Sequence, residues 1–226
     1  MPGEMFGSRK PYLSIIQGVL RQKVAEGTPN AEKREYELAN GVKGSKWELS
    51  FKSWNGKVAA LRLKDGEYGE SLEVEFEDAV LTMSTEDRYF SDFAKKIMGA
   101  DINKEISVSP YDFEVNGERK RGLSVYQGKG EDGKKIKLQS FYWNDVDKKP
   151  CNGMPQPSGD TKKFKKDDWK VFFISVKKFL ITEVLKLNEK IIKTEEIVQP
   201  EMEIDEAGIA ELEESKDLDQ AVEDFI

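Results

Sequence analysis

The strongest constraint on this chain is a run of period-two alternation through its first half, punctuated by Asn-Gly and Asp-Gly pairs. In KWELSFKSW, Trp47, Leu49 and Phe51 fall on one side, while Lys46, Glu48, Lys52 and Trp54 fall on the other. Successive side chains of a strand point to opposite faces, so this segment reads as a half-buried strand. Asn55-Gly56 follows and suits a tight hairpin turn, after which KVAALRLK resumes the alternation as far as Asp65-Gly66. LEVEFEDAVLTM then sets Leu72, Val74 and Phe76 on one face. Three strands joined by tight turns are expected.

The period changes after Ser84. FSDFAKKIMGA offers Phe90, Phe93, Ala94 and Ile97 at helical spacing, with Ser84 as a cap, Asp87 three residues on, and Gly99 as a stop. EISVSPYDFEV, the turn Asn116-Gly117, KRGLSVYQ, the glycine-rich GKGEDGK and KIKLQSFYW read as further strands and hairpins. Three strands, a short helix and two or more strands is the order of an OB-fold. The expected fold is therefore mainly β with helices, an OB-fold-like five-stranded Greek-key barrel. Residues 11–26 have apolar spacings of three and four that suit a short helix or an extended arm, and 147–160 is an exposed Pro/Gly loop. From Asp167 or Asp168, a stripe through Trp169, Phe172, Phe173, Val176, Phe179, Leu180, Val184, Leu187 and Ile191 marks a long C-terminal helix whose apolar side reads as core.

The chain contains no histidine and a single cysteine, Cys151. Imidazole-dependent triads and the common zinc sites are thereby removed, and no internal disulfide can form. No apolar run reaches the roughly 18 residues of a membrane span, and the first ten residues lack the pattern of a secretory signal, so a cytoplasmic location is expected. The net charge of −7 conceals a split. Residues 195–226 hold thirteen acids and one base, leaving 35 bases and 30 acids in residues 1–194. The expectation is a mildly basic body, 1–194, followed by an acidic, disordered interaction tail, 195–226, that ends on Phe225-Ile226.

Within the body, aromatic rings share strand segments with cations. Single-stranded nucleic acid is held in this way, with bases stacked on rings while Lys and Arg follow the backbone. The candidate contacts are Lys46, Lys52, Trp54, Arg62, Arg119, Lys120, Arg121, Tyr126, Lys135, Lys137, Phe141 and Trp143. Phe141 and Tyr142 lie next to each other, and a single bulge would exchange their faces. GKGEDGKK (128–135) approximates a phosphate loop but has Lys135 where a Ser or Thr hydroxyl is needed and runs into a strand, so it reads as a hairpin loop. Asp112 with Glu118 faintly suggests a carboxylate-metal nuclease, but Asn116-Gly117 places a hairpin tip between them.

The C-terminal layout resembles the single-stranded DNA-binding proteins of bacteriophages and bacteria: a body with Lys and aromatic residues, an acidic arm, then an apolar aromatic tip, here Asp217, Asp219, Glu223, Asp224, Phe225 and Ile226. The bacterial pattern ends in Pro-Phe, and the long helix after the body is closer to the larger phage versions. The resemblance implies a non-enzymatic binder of single-stranded DNA acting in replication, recombination or repair, with neither cofactor nor metal. It would reside in the cytoplasm, the host's if viral. It also implies that the tail docks partner proteins (a polymerase, helicase, primase or nuclease) and competes with DNA for the groove. The oligomeric state does not follow from these features. The alternatives are an OB-like interaction or structural subunit without nucleic-acid binding and, less favoured, the nuclease. A tethered polyanion competes most strongly at low salt. A chain ending at Thr194 should therefore bind oligo-dT more tightly than the full chain, by a margin that shrinks as salt rises, as read by quenching of tryptophan fluorescence.

Overall fold

The β-branched residues Ile15, Ile16, Val19 and Val24 favour extended backbone, and between them Gln17 and Gly18 adopt φ of 50° and 75°, the geometry of a two-residue hairpin turn. The computed structural model, which describes residues 10–37, 41–66 and 69–198, accordingly shows β1 (Tyr12–Ile16) paired antiparallel with β2 (Val19–Val24). The helix or arm expected over 11–26 is thus a hairpin. β3 (Glu32–Glu37), β4 (Lys43–Phe51), β5 (Trp54–Gly56), β6 (Val58–Gly66), β7 (Gly69–Phe76) and β8 (Val80–Ser84) follow, then α1 (Arg88–Ile97). β9 (Ile106–Val115), β10 (Glu118–Lys129), β11 (Lys135–Lys137) and α2 (Lys166–Val198) complete the main elements. Among the described residues the protein is mainly β with two α-helices, the second long and C-terminal.

Among the described residues the strands do not form a single closed five-stranded barrel. They form a seven-stranded sheet, β3-β4-β2-β1-β8-β7-β6, a four-stranded sheet, β11-β10-β9-β5, and a two-residue ladder of Trp143–Asn144 with Lys149–Pro150. Every pairing in the larger sheet is antiparallel except β1 with β8. Two local expectations change as well. Asn55-Gly56 is not a turn: Asn55 pairs with Ser107 and Gly56 with Ile106, so β5 belongs to the second sheet. LEVEFEDAVLTM is two strands, β7 and β8, paired to each other across residues 77–79. Segment 54–66 therefore bends at Lys57, giving its first three residues to one sheet and the rest to the other.

One core lies between these layers. Leu61, Leu72, Val74, Phe76 and Leu81 come from the large sheet, Val108, Leu123 and Val125 from the small one, Phe90, Phe93 and Ala94 from α1, and Leu180, Val184, Leu187 and Ile191 from α2. Each large side chain of this kind contributes about 1.5–3 kcal/mol on burial. α2 also closes the outer edge of β6, where the Asn188 Oδ1 accepts the backbone N–H of Leu61 at 2.8 Å. The stripe of α2 is core only in its later turns, because Phe173 on the same stripe is 60% exposed.

α1 begins at Asp87, rather than Ser84, as the cap, with its carboxylate accepting the N–H of Tyr89. The helix also seals the free edge of β10. Leu123 lies opposite Pro110, and its N–H donates to Asp92 Oδ2 at 3.0 Å while Lys96 Nζ donates to its carbonyl. Burial lowers the Lys96 ammonium below the ordinary lysine value against the pull of Asp92. A buried strand edge without such partners would leave unpaired backbone groups at about 1–3 kcal/mol each.

The β1–β2 turn rests on β9. Gly18 N–H donates to Tyr89 Oη at 3.1 Å, and a Cβ at position 18 would lie 2.8 Å from the Tyr111 carbonyl carbon and collide with the Asp112 nitrogen. Gly27, with φ of 82°, has nothing within 4 Å of the same position. Gly18→Ala should therefore cost at least ~2 kcal/mol in urea denaturation and Gly27→Ala only about 1 kcal/mol. Equal losses would show that the turn is not seated on β9.

Candidate nucleic-acid interface

The two-residue turn at Asn116-Gly117 pairs Val115 with Glu118 and so fixes the register of β9 against β10. Counting back from it opposes Phe113 with Lys120, Tyr111 with Gly122, Ser109 with Ser124 and Ser107 with Tyr126. Directly opposed residues share a face, and the alternate set, Val108, Pro110, Leu123 and Val125, faces the core. The other face therefore carries Tyr111, Phe113 and Tyr126, of which Phe113 is the exposed ring, together with Ser107, Gly122 and Ser124, which are buried. β11 adds Lys137 beside Tyr126, and Lys135 Nζ donates to Asn55 Oδ1 at 2.8 Å and Ser107 Oγ at 3.0 Å. Phe113 is 52% exposed, with its ring 5.7 Å from that of Tyr111. Gly122 is covered here, since a Cβ would lie 2.5 Å from Tyr111 Oη and collide with the Asp92 carboxylate. Burial, with the Asp92 charge, raises the Tyr111 phenol above the ordinary tyrosine value.

Of the residues nominated from sequence, the structure brings Lys120, Tyr126, Lys135 and Lys137 onto this face. Tyr111 and Phe113 were missed, although the alternation of ISVSPYDFEV and the Asn-Gly turn already placed them there. Trp54 does not share a face with Lys46 and Lys52. Lys46 lies in the seven-stranded sheet, whereas Trp54 lies opposite Val108 with its ring edge-on to Phe51 at 5.2 Å and its indole N–H on Asp78 at 3.1 Å. The bend that takes residues 54–56 into the second sheet turns this ring toward the core. Lys52 is exposed in the connection after β4. Phe141 and Trp143 are 41% and 44% exposed but lie beyond β11, which ends at Lys137. Phe141 N–H donates to the Lys95 carbonyl at the end of α1, while Tyr142 is buried with its ring 5.2 Å from Phe179. The terminal residues Asp217, Asp219, Glu223, Asp224, Phe225 and Ile226 lie outside the described residues.

The sheet cations are mostly engaged by carboxylates. Arg119 makes a two-pronged bond to Asp112 at 2.7 and 2.6 Å, Lys120 pairs with Glu118 at 2.5 Å, and Arg121 pairs with Asp87 while lying 4.8 Å over the Tyr89 ring. The Arg119 hydrogen bonds hold Asp112 below the ordinary carboxylate range. Arg62 pairs with Glu75, which Lys10 also reaches at 2.7 Å. Asp112 and Glu118 are thus each bound to a cation and do not converge. Among the described residues, no three His, Cys, Asp or Glu side chains gather as a metal site.

The tightest of these networks surrounds Glu48, which is 1% exposed. Arg34 bonds both its oxygens at 2.7 and 3.0 Å, Lys46 stands at 3.1 Å and Arg21 at 3.5 Å. Lys46 also lies 5.6 Å from the Tyr36 ring centre. Burial pushes the Glu48 carboxyl up, but the hydrogen bonds and charges of Arg34 and Lys46 outweigh it and leave the group below its ordinary value.

The chain matches no known protein-family model, and no curated protein or solved structure matches it.

A carboxyl whose folded-state pKa is depressed contributes stability above its unfolded value of 4.5 and loses that contribution as pH falls through the folded value. Glu48→Gln should cost about 1.5–3 kcal/mol at pH 7. Between pH 5 and pH 2 its urea midpoint should fall less than that of the unaltered protein. Parallel pH profiles would show that Glu48 is not the linked group.

Proposed function

We propose that this protein binds single-stranded DNA without sequence preference, through an OB-like body. The observation that carries the reading is the face of β9 and β10 where the exposed Phe113 ring stands beside Tyr111 and Lys120 and continues to Tyr126, Lys135 and Lys137. The exposed Phe113 ring offers a face to a base, and lysines at the margin suit the phosphates. The bent segment 54–66 shared by two sheets, the helix after β8 and the β9–β10 hairpin pairing back onto β5 support an OB-like body. In this body α1 occupies the gap beside β10, and β1 extends the sheet at β8. By the same reading, the acidic arm competes with DNA. Its tip, Asp217 to Ile226, docks replication, recombination or repair proteins, such as a polymerase, helicase, primase or nuclease, once DNA has displaced it. No helix among the described residues is long and apolar enough to cross a membrane. The protein acts as a binder, not an enzyme, in the cytoplasm.

A second reading draws on the ion pairs themselves. Arg62, Arg119, Lys120 and Arg121 each have a carboxylate partner, which favours an OB-like interaction subunit that binds no nucleic acid. The two readings separate on one variant. If a base stacks on Phe113, Phe113→Ala removes about 1–3 kcal/mol, a loss of roughly five- to 150-fold in affinity for labelled oligo-dT by fluorescence anisotropy. Val146→Ala, at a side chain 90% exposed between Trp143–Asn144 and Lys149–Pro150, should leave binding unchanged. No binding of oligo-dT by the full chain or by one ending at Thr194 would leave only the interaction subunit.

A further inference from the structure

The apolar stripe of α2 outruns the body it packs on. Trp169, Phe173, Val176, Leu180, Val184, Leu187 and Ile191 follow one another at steps of three and four, and from Leu180 onward the stripe is buried. In the first turns it is not: Phe173 is 60% exposed and the neighbouring Val171 68%. The rings there gather on one another. Trp169 lies 5.2 Å from Phe164 edge-on and 5.9 Å from Phe173 in a stacked arrangement with 25° between planes, and Phe172 is 5.5 Å from Phe173. Such a cluster on a projecting helix is a surface awaiting a partner.

Charge indicates which partner. Residues 161–178 contain seven lysines and two aspartates, a net of 7 − 2 = +5. Residues 1–194 hold 35 bases and 30 acids, so the remainder of the body carries 28 of each and sums to zero. A positive excess as large as that of the whole body is therefore concentrated in residues 161–178, at the start of α2. Lys162, Lys165, Lys166, Lys170 and Lys178 form no ion pair among the described residues, whereas the sheet cations Arg62, Arg119, Lys120 and Arg121 do. The two regions meet at one turn: Glu86 pairs with Lys177 of α2, and the adjacent Asp87 pairs with Arg121 of β10.

We propose that residues 162–178 form a second contact surface for single-stranded nucleic acid, taking phosphates on Lys162, Lys165, Lys166 and Lys170 and a base on the Phe173 ring, on the same strand that crosses the β9–β10 face. This rests on the single-strand reading above. Lysines beside the rings that are unpaired among the described residues favour a polyanion over a purely apolar partner, and a base needs only a ring face and its phosphates only nearby cations.

The test uses the full chain and oligo-dT, with anisotropy read at several salt concentrations. Neutralising three lysines in Lys165→Ala/Lys166→Ala/Lys170→Ala should reduce the slope of log affinity against log salt by about 2, since each single-strand phosphate contact contributes roughly 0.7. Phe173→Ala should weaken binding about tenfold and leave the slope unchanged. These side chains lie outside the core, so the thermal midpoint serves as a folding control. If oligo-dT binds and Phe113→Ala weakens it, but the α2 variants keep the original affinity and slope, the α2 surface is overturned and the parent reading stands. If the unaltered chain binds no oligonucleotide, both are overturned. Suppose instead that the α2 variants tighten binding in the full chain and change nothing in one ending at Thr194. The surface then holds the acidic segment, and nucleic acid is the wrong occupant.

Discussion

The structure depends on one segment serving two sheets. Residues 54–56 pair with β9, and residues 58–66 pair with β7, so the bend at Lys57 brings the two layers onto a common core. Val58 and Leu61 follow the bend directly and are buried at 3% and 0% exposure. Without the pairing of Asn55 to Ser107, β9 and β10 would have no strand linking them to the larger sheet. The face bearing Phe113 and Tyr126 is positioned from there: β5 anchors β9, the Asn116-Gly117 turn sets β10 against β9, and α1 seals the remaining edge through Asp92 and Lys96. Tight backbone pairing of this kind leaves little freedom in how the rings are presented.

Electrostatics divides the surface in a way that composition alone hides. On the sheets, cations and carboxylates alternate across strands and neutralise one another. Glu48 draws in Arg21, Arg34 and Lys46, while Glu75 draws in Lys10 and Arg62. Such pairs add little net stability where exposed, but they fix side chains and cancel the local field. The start of α2 has no comparable set of acids. A basic balance located there, beside exposed rings, is the kind of charge that reaches a polyanion at long range and that salt screens.

Much of the local structure was legible in the residues. Phe90, Phe93, Ala94 and Ile97 at helical spacing are the buried side of α1, and GKGEDGK is the connection between β10 and β11. The register of β9 on β10 could be counted from Asn116-Gly117, and with it the positions of Tyr111 and Phe113. Other signals misled for physical reasons. Asn55-Gly56 has the composition of a hairpin turn, but pairing with Ser107 and Ile106 holds it extended. The spacings of three and four in residues 11–26 match a helix, yet β-branched side chains on either side of Gln17-Gly18 favour a hairpin whose tip is held by Tyr89.

By itself, the sequence determined what depends on neighbours along the chain: alternation, turns with positive φ, helical stripes, and the separation of an acidic end from a basic body. Those follow from the local geometry of the backbone and from the covalent order of charges. Only the tertiary structure decided which sheet residues 54–56 would join, which cations would be neutralised, and where the α2 stripe would leave the core. These depend on partners far apart in sequence, such as Trp54 with Val108, Arg121 with Asp87 and Asn188 with Leu61. Burial and long-range pairing select them together, and no local pattern encodes that choice.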